Sequence, residues 1–270
     1  AVSRIRLYGV EHASKFDAQY NLPEGLPHRR LFWREEMSDG VVLSEDPNER
    51  GVKDYIQWFD YKAKKMKFLG MNTYSKDLLE FGANQGWNPE AYGGHDWVYY
   101  NNFHKNDWSQ IVKIMGDYGF DVFPYYEYSG SKGRQGLGNE KRALPLTRND
   151  AYSHIRWIES HRADITDPDT YEDFKKMLDL TIIRHQDKAN FVGAWLRPRG
   201  QLPISFAPST LQRFVDETGY DGELTRQMLI DNKKLLEQYK AWWHTKLRQF
   251  LVAMHDYLAE NGVEDPTIVF

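Results

Sequence analysis

Residues 120–130 read FDVFPYYEYSG, a short apolar run that ends in a carboxylate, Glu127, set among Tyr125, Tyr126 and Tyr128. A run of this length and aromatic content, closed by Ser129 and Gly130, predicts a buried strand. A buried strand has little use for an acid at its end, whereas a polar pocket at that end would use one. Runs of the same kind occur at 4–10 (RIRLYGV), 29–35 (RRLFWRE), 67–75 (KFLGMNTYS), 190–198 (NFVGAWLRP) and 266–270 (PTIVF).

Amphipathic stretches lie between most of these runs. From Val52 to Lys67, the residues Tyr55, Trp58, Phe59, Ala63 and Met66 recur at helical spacing. Trp108, Ile111, Val112 and Met115 do so between Asp107 and Tyr118. Asp167 is placed to cap a helix whose first residue is Pro168 and whose apolar face holds Phe174, Met177, Leu178 and Ile182. A shorter helix is expected from Ser209 to Thr218, ended by Gly219. A long helical region follows from Glu223 to Asn261, broken or built as two successive helices and closed by Gly262.

Strands alternating with helices at this spacing predict an α/β fold with parallel strands and crossover helices. The long connections follow the strand C-termini, as in a (β/α)8 TIM-type barrel. A doubly wound sheet is the alternative, but no strand is followed by a dinucleotide-type glycine turn. Five or six β/α units are readable where a barrel has eight. The expectation is therefore one domain, 1–270, that is incomplete as a barrel: either a piece of a longer protein or a barrel with irregular closure.

Composition narrows the chemistry. Net charge is −4 with the signs mixed, which does not suit a nucleic-acid surface. No apolar run approaches the roughly 18 residues that span a bilayer, so no membrane partner is expected. With no cysteine, thiol catalysis and disulfides are excluded. Of the nine histidines, His12, His95, His104, His154 and His161 show no HExxH or similar spacing, so no metal is expected. The glycine-rich run 130–138 lacks the order of a phosphate-binding loop, and GxSxG is absent, so no cofactor is expected. Aromatic residues make up 15% of the chain, many in polar surroundings such as 84–108. Most such rings serve packing, but aromatic faces also cover the apolar faces of sugar rings.

Four strand ends combine acids, bases and aromatics: WREEMSDG with Arg34, Glu35, Glu36 and Asp39; SKDLLEFGANQGW with Asp77, Glu80 and Trp87; YYEYSGSKG with Glu127 and Lys132; and WLRPRGQLP with Trp195, Arg197 and Arg199. Glycoside cleavage needs two carboxyl groups, one a protonated acid and the other a nucleophile or base. Burial among tyrosine rings would raise the pKa of Glu127 and suit it to the acid role. The alternative is a structural Glu127 paired with Arg197 or Lys132. Glu35, Glu36, Asp77 and Glu80 compete for the second role, against an ordinary place as solvated charges. Trp87, Tyr125, Tyr126 and Trp195 are candidate sugar platforms. Arg34, Lys132, Arg197 and Arg199 are candidate polar contacts, with Arg197 and Arg199 suited to a sulfate or carboxylate on an acidic sugar. Salt bridges to the acidic loops are the competing use of that pair.

The stretches WREEMSDG, PYYEYSGSKG and GAWLRPRG, with the helical excursion LPISFAPSTLQRFVDETGYDGELTRQML after the last, resemble the barrels of clan-A retaining glycoside hydrolases such as bacterial beta-galactosidases. They are also similar to glycoside-hydrolase-like proteins of environmental bacteria. The resemblance implies a carbohydrate substrate and cleavage by a carboxyl pair, in a secreted or periplasmic protein that meets polymers outside the cell. It departs from the family where the acid motif, Asn-Glu, should follow Trp195: Leu196, Arg197, Pro198 and Arg199 stand there instead. If RIRLYGV is the first strand, 120–128 is the fourth, and Glu127 lies on the strand of the family's acid. Otherwise the chain is a divergent or non-catalytic carbohydrate-binding relative. The family's nucleophile would fall beyond Phe270.

Overall fold

The computed structural model describes residues 30–35, 51–76, 78, 107–126, 128, 130, 137, 141–147, 162–197 and 202–270. The expected strand 4–10 lies outside them. In chain order the elements are β1 (Phe32–Glu35), α1 (Tyr55–Phe68), β2 (Thr73–Lys76), α2 (Asp107–Asp117), β3 (Asp121–Val122), β4 (Tyr125–Tyr126), α3 (Pro168–Thr181), β5 (Gly193–Leu196), α4 (Pro208–Thr218), α5 (Arg226–Asp231), α6 (Lys233–Glu260) and β6 (Thr267–Val269).

Local chemistry sets the helix ends. The Asp54 carboxylate accepts from the Ile56 and Gln57 amides at 2.9 and 3.2 Å and starts α1. Asp167 starts α3 by accepting from the Asp169 amide at 3.0 Å, with Pro168 in the first turn. The same closing device ends three helices. At Gly70 after α1, Gly119 after α2 and Gly262 after α6, the glycine amide bonds to the second-last helix carbonyl (Lys67, Gly116, Ala259) and the following amide to the third-last (Met66, Met115, Leu258). This left-handed cap turns the chain out of the helix and feeds β2, β3 and β6 in turn. It also corrects one expectation. The strand foreseen over 67–75 begins only at Thr73, because Lys67 and Phe68 complete α1 before the Gly70 cap.

Every strand pairing is parallel. β1 pairs with β2 (Phe32 beside Thr73), β2 with β3 (Tyr74 beside Val122), β4 with β5 (Tyr125 beside Trp195) and β5 with β6 (Ala194 beside Ile268). β3 and β4 form one run interrupted at Phe123–Pro124, where Pro124 has no amide to donate. The run stays stitched on both sides. The Phe123 amide reaches the Tyr74 carbonyl at 2.8 Å, and the Trp195 amide reaches the Pro124 carbonyl at 2.9 Å. Val122 also bridges to Phe191. Among the described residues the strands thus form two three-stranded sheets, β1-β2-β3 and β4-β5-β6, each in chain order.

The strand residues that join the main core share one parity. Tyr74, Val122, Tyr126, Tyr128, Ala194 and Leu196 cluster with Phe59, Ala63 and Met66 of α1, Ile111 and Met115 of α2, Phe174 and Met177 of α3 and Phe250 and Met254 of α6. Each such side chain contributes about 1.5–3 kcal/mol when it leaves water. A smaller cluster of Phe206, Leu211, Phe214, Leu229 and Tyr239 holds α4 and α5 against the start of α6. The buried Phe123 and Tyr125 belong to neither cluster. They take the opposite parity, together with Phe32, Gly193 and Trp195.

Gly193 has φ +130°, and a Cβ there would collide with the Thr267 backbone of β6. Gly193→Ala should therefore cost about 3 kcal/mol or more in urea unfolding. Gly70→Ala, at φ +76° in open space, should cost only about 1–2 kcal/mol.

His185 ends a single 3-10 turn after α3, and its Nδ1 has no hydrogen-bond partner among the described residues. Burial, reinforced by Lys188, pushes its pKa down to about 4. In the unfolded chain the imidazole takes its proton near pH 6.5. The stabilising contribution of neutral His185 is thus complete above that value and is lost as pH falls from about 6.5 towards 4, on the order of 3 kcal/mol in total. Between neutral pH and about pH 4.5, wild-type stability should fall more steeply than that of His185→Gln.

Candidate functional site

Parallel pairing puts the C-terminal ends of β1, β2, β4 and β5 along one edge of the sheet. The four segments singled out in the sequence all leave from that edge. Glu36, Asp77, Glu80, Trp87, Glu127, Lys132 and Arg199 lie outside the described residues. Arg34 and Glu35 belong to β1, in register with Ser75 and Lys76.

On the side of the strands away from the main core, three rings gather around Trp195. Tyr125 meets it edge-on at 5.0 Å and Phe32 at 5.6 Å, while Phe123 stacks at 6.4 Å with 22° between the planes. Tyr125 and Phe123 are buried, Trp195 is half-buried and Phe32 is 39% exposed. The group thus has a packed floor and a partly open upper surface. Arg197, exposed, follows on the same parity, and its amide donates to the Tyr126 carbonyl at 3.1 Å. The arrangement offers aromatic surface with a guanidinium close by in sequence, a combination suited to an apolar ring face that carries polar substituents.

Tyr126 does not share this surface. It is fully buried towards α3, with its hydroxyl 2.7 Å from Thr181 Oγ1 and its ring edge-on to Phe174 at 5.8 Å. Burial raises its pKa well above that of an ordinary phenol. Tyr128 is likewise buried and donates to the Asp173 carboxylate at 2.6 Å. Of the three tyrosines flanking Glu127 in sequence, only Tyr125 stands with Trp195.

Sequence reasoning passed over two buried polar residues at the end of β2. Lys76, at the end of β2, is 2% exposed. Ser75, one residue earlier, is equally buried, and its hydroxyl has no partner among the described residues. Their position at the end of a strand was the only available signal.

A second polar centre lies among the helices, where a cavity of about 490 Å³ is lined by Tyr171, Lys175, Arg213, Glu217 and Lys246. Its charges answer one another. Lys175 pairs with Glu172 at 3.0 Å and Lys246 with Glu217 at 2.9 Å, while Arg213 spans Asp164 and Asp167. Burial and the Glu217 charge push the Tyr171 phenol up to about 12. Asp164 is completely buried and accepts from the Thr166 amide at 2.9 Å, from both the Thr166 and Thr210 hydroxyls, and from Arg213. This network fastens α3 to α4 and leaves no oxygen of Asp164 without a donor. Among the described residues, no three His, Asp or Glu side chains come together as metal ligands, and no helix is long and apolar enough to cross a membrane.

No family model and no curated protein matches the chain. Among solved structures, it is similar to the chitobiase FjGH20 of Flavobacterium johnsoniae, with a TM-score of 0.38 and 10% identity. The match covers 84% of this chain and 30% of that one, so the chain spans less than a third of the length of the chitobiase. A likeness so slight carries neither fold nor activity across.

Removing one partner from a buried ion pair strands the other. Arg213→Ala should therefore lower stability by about 3 kcal/mol in urea unfolding. Arg213→Lys, which keeps the charge but loses the fork that spans two carboxylates, should recover only part of it.

Proposed function

We propose that the chain is a (β/α)8-type barrel, related to glycoside hydrolases, that holds a saccharide against Trp195, whose ring rests on the buried Tyr125. The single observation that carries this reading is that ring pair, set on the side of the strands away from the helices and beside the C-terminal edge. Two features support the barrel: the chain-order arrangement of parallel strands, and the single parity by which they join the helices. In this reading Phe32 and Phe123 support the Trp195 ring, and Arg197, with Arg199 nearby in sequence, binds an anionic or hydroxyl substituent.

Glu127 is the proposed general acid. Strand alternation continued past Tyr126 predicts for it the parity of Tyr125. The second carboxyl comes from Glu35, Glu36, Asp77 or Glu80. Hydrolysis then follows the two-carboxylate scheme: Glu127 protonates the leaving oxygen, and the partner acts as nucleophile or activates water. A polymeric substrate would place the protein outside the cell. The absence of any carboxylate after Trp195, where Leu196 to Arg199 stand, favours a second reading, a carbohydrate-binding barrel without turnover.

The test is a screen of short cello-, manno- and agaro-oligosaccharides, read by tryptophan fluorescence for binding and by product analysis for cleavage. Trp195→Ala should weaken binding about tenfold or more. Glu127→Gln should cut turnover by about a hundredfold or more while leaving binding in place. Binding without cleavage in the wild type selects the second reading, and unchanged turnover in Glu127→Gln removes the acid.

A further inference from the structure

We infer that a one-residue bulge in the β5 segment, set by Gly193 and Pro124, turns Trp195 towards the saccharide, and that these two are positioning residues for the sugar platform. This rests on the proposed role of Trp195 and adds the device that aims it.

The bulge is visible as a change of register. Val122 bridges to Phe191, while Tyr125 lies beside Trp195. From Val122 to Tyr125 is three steps and from Phe191 to Trp195 is four, so one residue on the β5 side is extra. The main-chain bonds agree. The Val122 amide reaches the Asn190 carbonyl at 2.8 Å, and the Val192 amide reaches the Val122 carbonyl at 3.1 Å. An unbroken parallel ladder would next bring the Ala194 amide to the Pro124 carbonyl. The Trp195 amide arrives there instead, at 2.9 Å, and the Arg197 amide then meets the Tyr126 carbonyl at 3.1 Å.

Both residues at the break suit it. An unbroken ladder would need residue 124 to donate to the Val192 carbonyl, and proline has no amide to give. That carbonyl points the other way and accepts the Thr267 amide of β6 at 2.9 Å. Val192 thus turns its amide to one neighbouring strand and its carbonyl to the other, which a regular strand residue does not do. Gly193 holds φ +130°, and a Cβ there would collide with the Thr267 carbonyl oxygen.

The consequence is a change of side. Phe191, Ala194 and Leu196 all belong to the main core. Phe191 and Ala194 are an odd number of residues apart, so the alternation reverses between them. The partner run does not reverse, since Val122 and Tyr126 both join the core. Regular alternation from Phe191 would carry Trp195 into the helix-facing core and away from Tyr125, Phe123 and Phe32. The break costs a ladder bond at Pro124 and leaves no side chain to pack at 193. What it gains is an indole left half-buried on the far side of the strands. Bulges beside binding sites re-aim side chains in this way.

Gly193→Ala disfavours the bulge, and Pro124→Ala supplies an amide that finds its acceptor, the Val192 carbonyl, only in the unbroken register. Each lowers the fraction of molecules with Trp195 outward, and apparent affinity falls with that fraction. The oligosaccharide that the wild type binds best should bind about tenfold more weakly or worse to Gly193→Ala, and about threefold more weakly or worse to Pro124→Ala, well below each melting temperature. Oxidation of Trp195 in hydroxyl-radical footprinting, read by mass spectrometry without any ligand, should fall in both. A glycine needed only to fit against β6 would lower the melting temperature and leave affinity and footprint at wild-type values. That outcome in Gly193→Ala, or in Pro124→Ala should the first variant not fold, overturns the inference. Trp195→Ala separates the two levels. If it leaves binding intact, or if the wild type binds none of the oligosaccharides, the platform falls and the purpose of the bulge with it. If it abolishes binding while the two bulge variants leave affinity unchanged, the platform stands and the positioning role alone falls.

Discussion

The register between β4 and β5 is the constraint on which the rest turns. Tyr125 lies beside Trp195 and Tyr126 beside Leu196. A slip of one residue would exchange the sides of every ring in the segment. Tyr126 and Tyr128 would leave α3, and Phe123 and Tyr125 would enter the helix-facing core. The register is held by two kinds of bond that fail independently: the ladder amides of Trp195 and Arg197, and the phenol bonds to Thr181 and Asp173. Main-chain bonds alone specify register weakly in a run where both faces are aromatic, and the hydroxyls make one face chemically distinct from the other.

That distinction explains what could and could not be read from the sequence. Helix starts and stops were legible because capping is local. Asp167 with Pro168, and Gly262 after the long helix, act on amides within a few residues of themselves. The helix of 107–117 was legible from the spacing of Trp108, Ile111, Val112 and Met115 alone. The start of β2 was misread because Lys67 to Met71 mixes apolar residues with a lysine and fits either period. What decides it is the glycine cap at Gly70, whose second bond runs from Met71 back to Met66.

The side on which each tyrosine lies was not legible. Val122, Tyr126 and Tyr128 alternate with Phe123 and Tyr125, so both parities are apolar, as expected of a parallel strand covered on both faces. Nothing within the run says which parity meets the helices. The deciding partners, Asp173 and Thr181, are 45 and 55 residues away from Tyr128 and Tyr126. Tyr126 therefore passed for a sugar platform in sequence while the structure gives it a structural place. The gathering of Phe32, Phe123 and Trp195 was equally hidden, because it joins three strands that only the parallel order makes neighbours.

Among the described residues Asp164, Asp167 and Asp173 are buried, and the partners of the first and the last bear on how such acids are to be read. Asp164 is surrounded by donors from its own turn, from α4 and from Arg213, so its charge is balanced where it sits. Such a group holds elements together, and its burial says nothing about catalysis. Asp173 lies in the apolar layer beside Phe174 and takes a phenol from a strand. Burial of an acid is therefore no guide to its role until its donors are named.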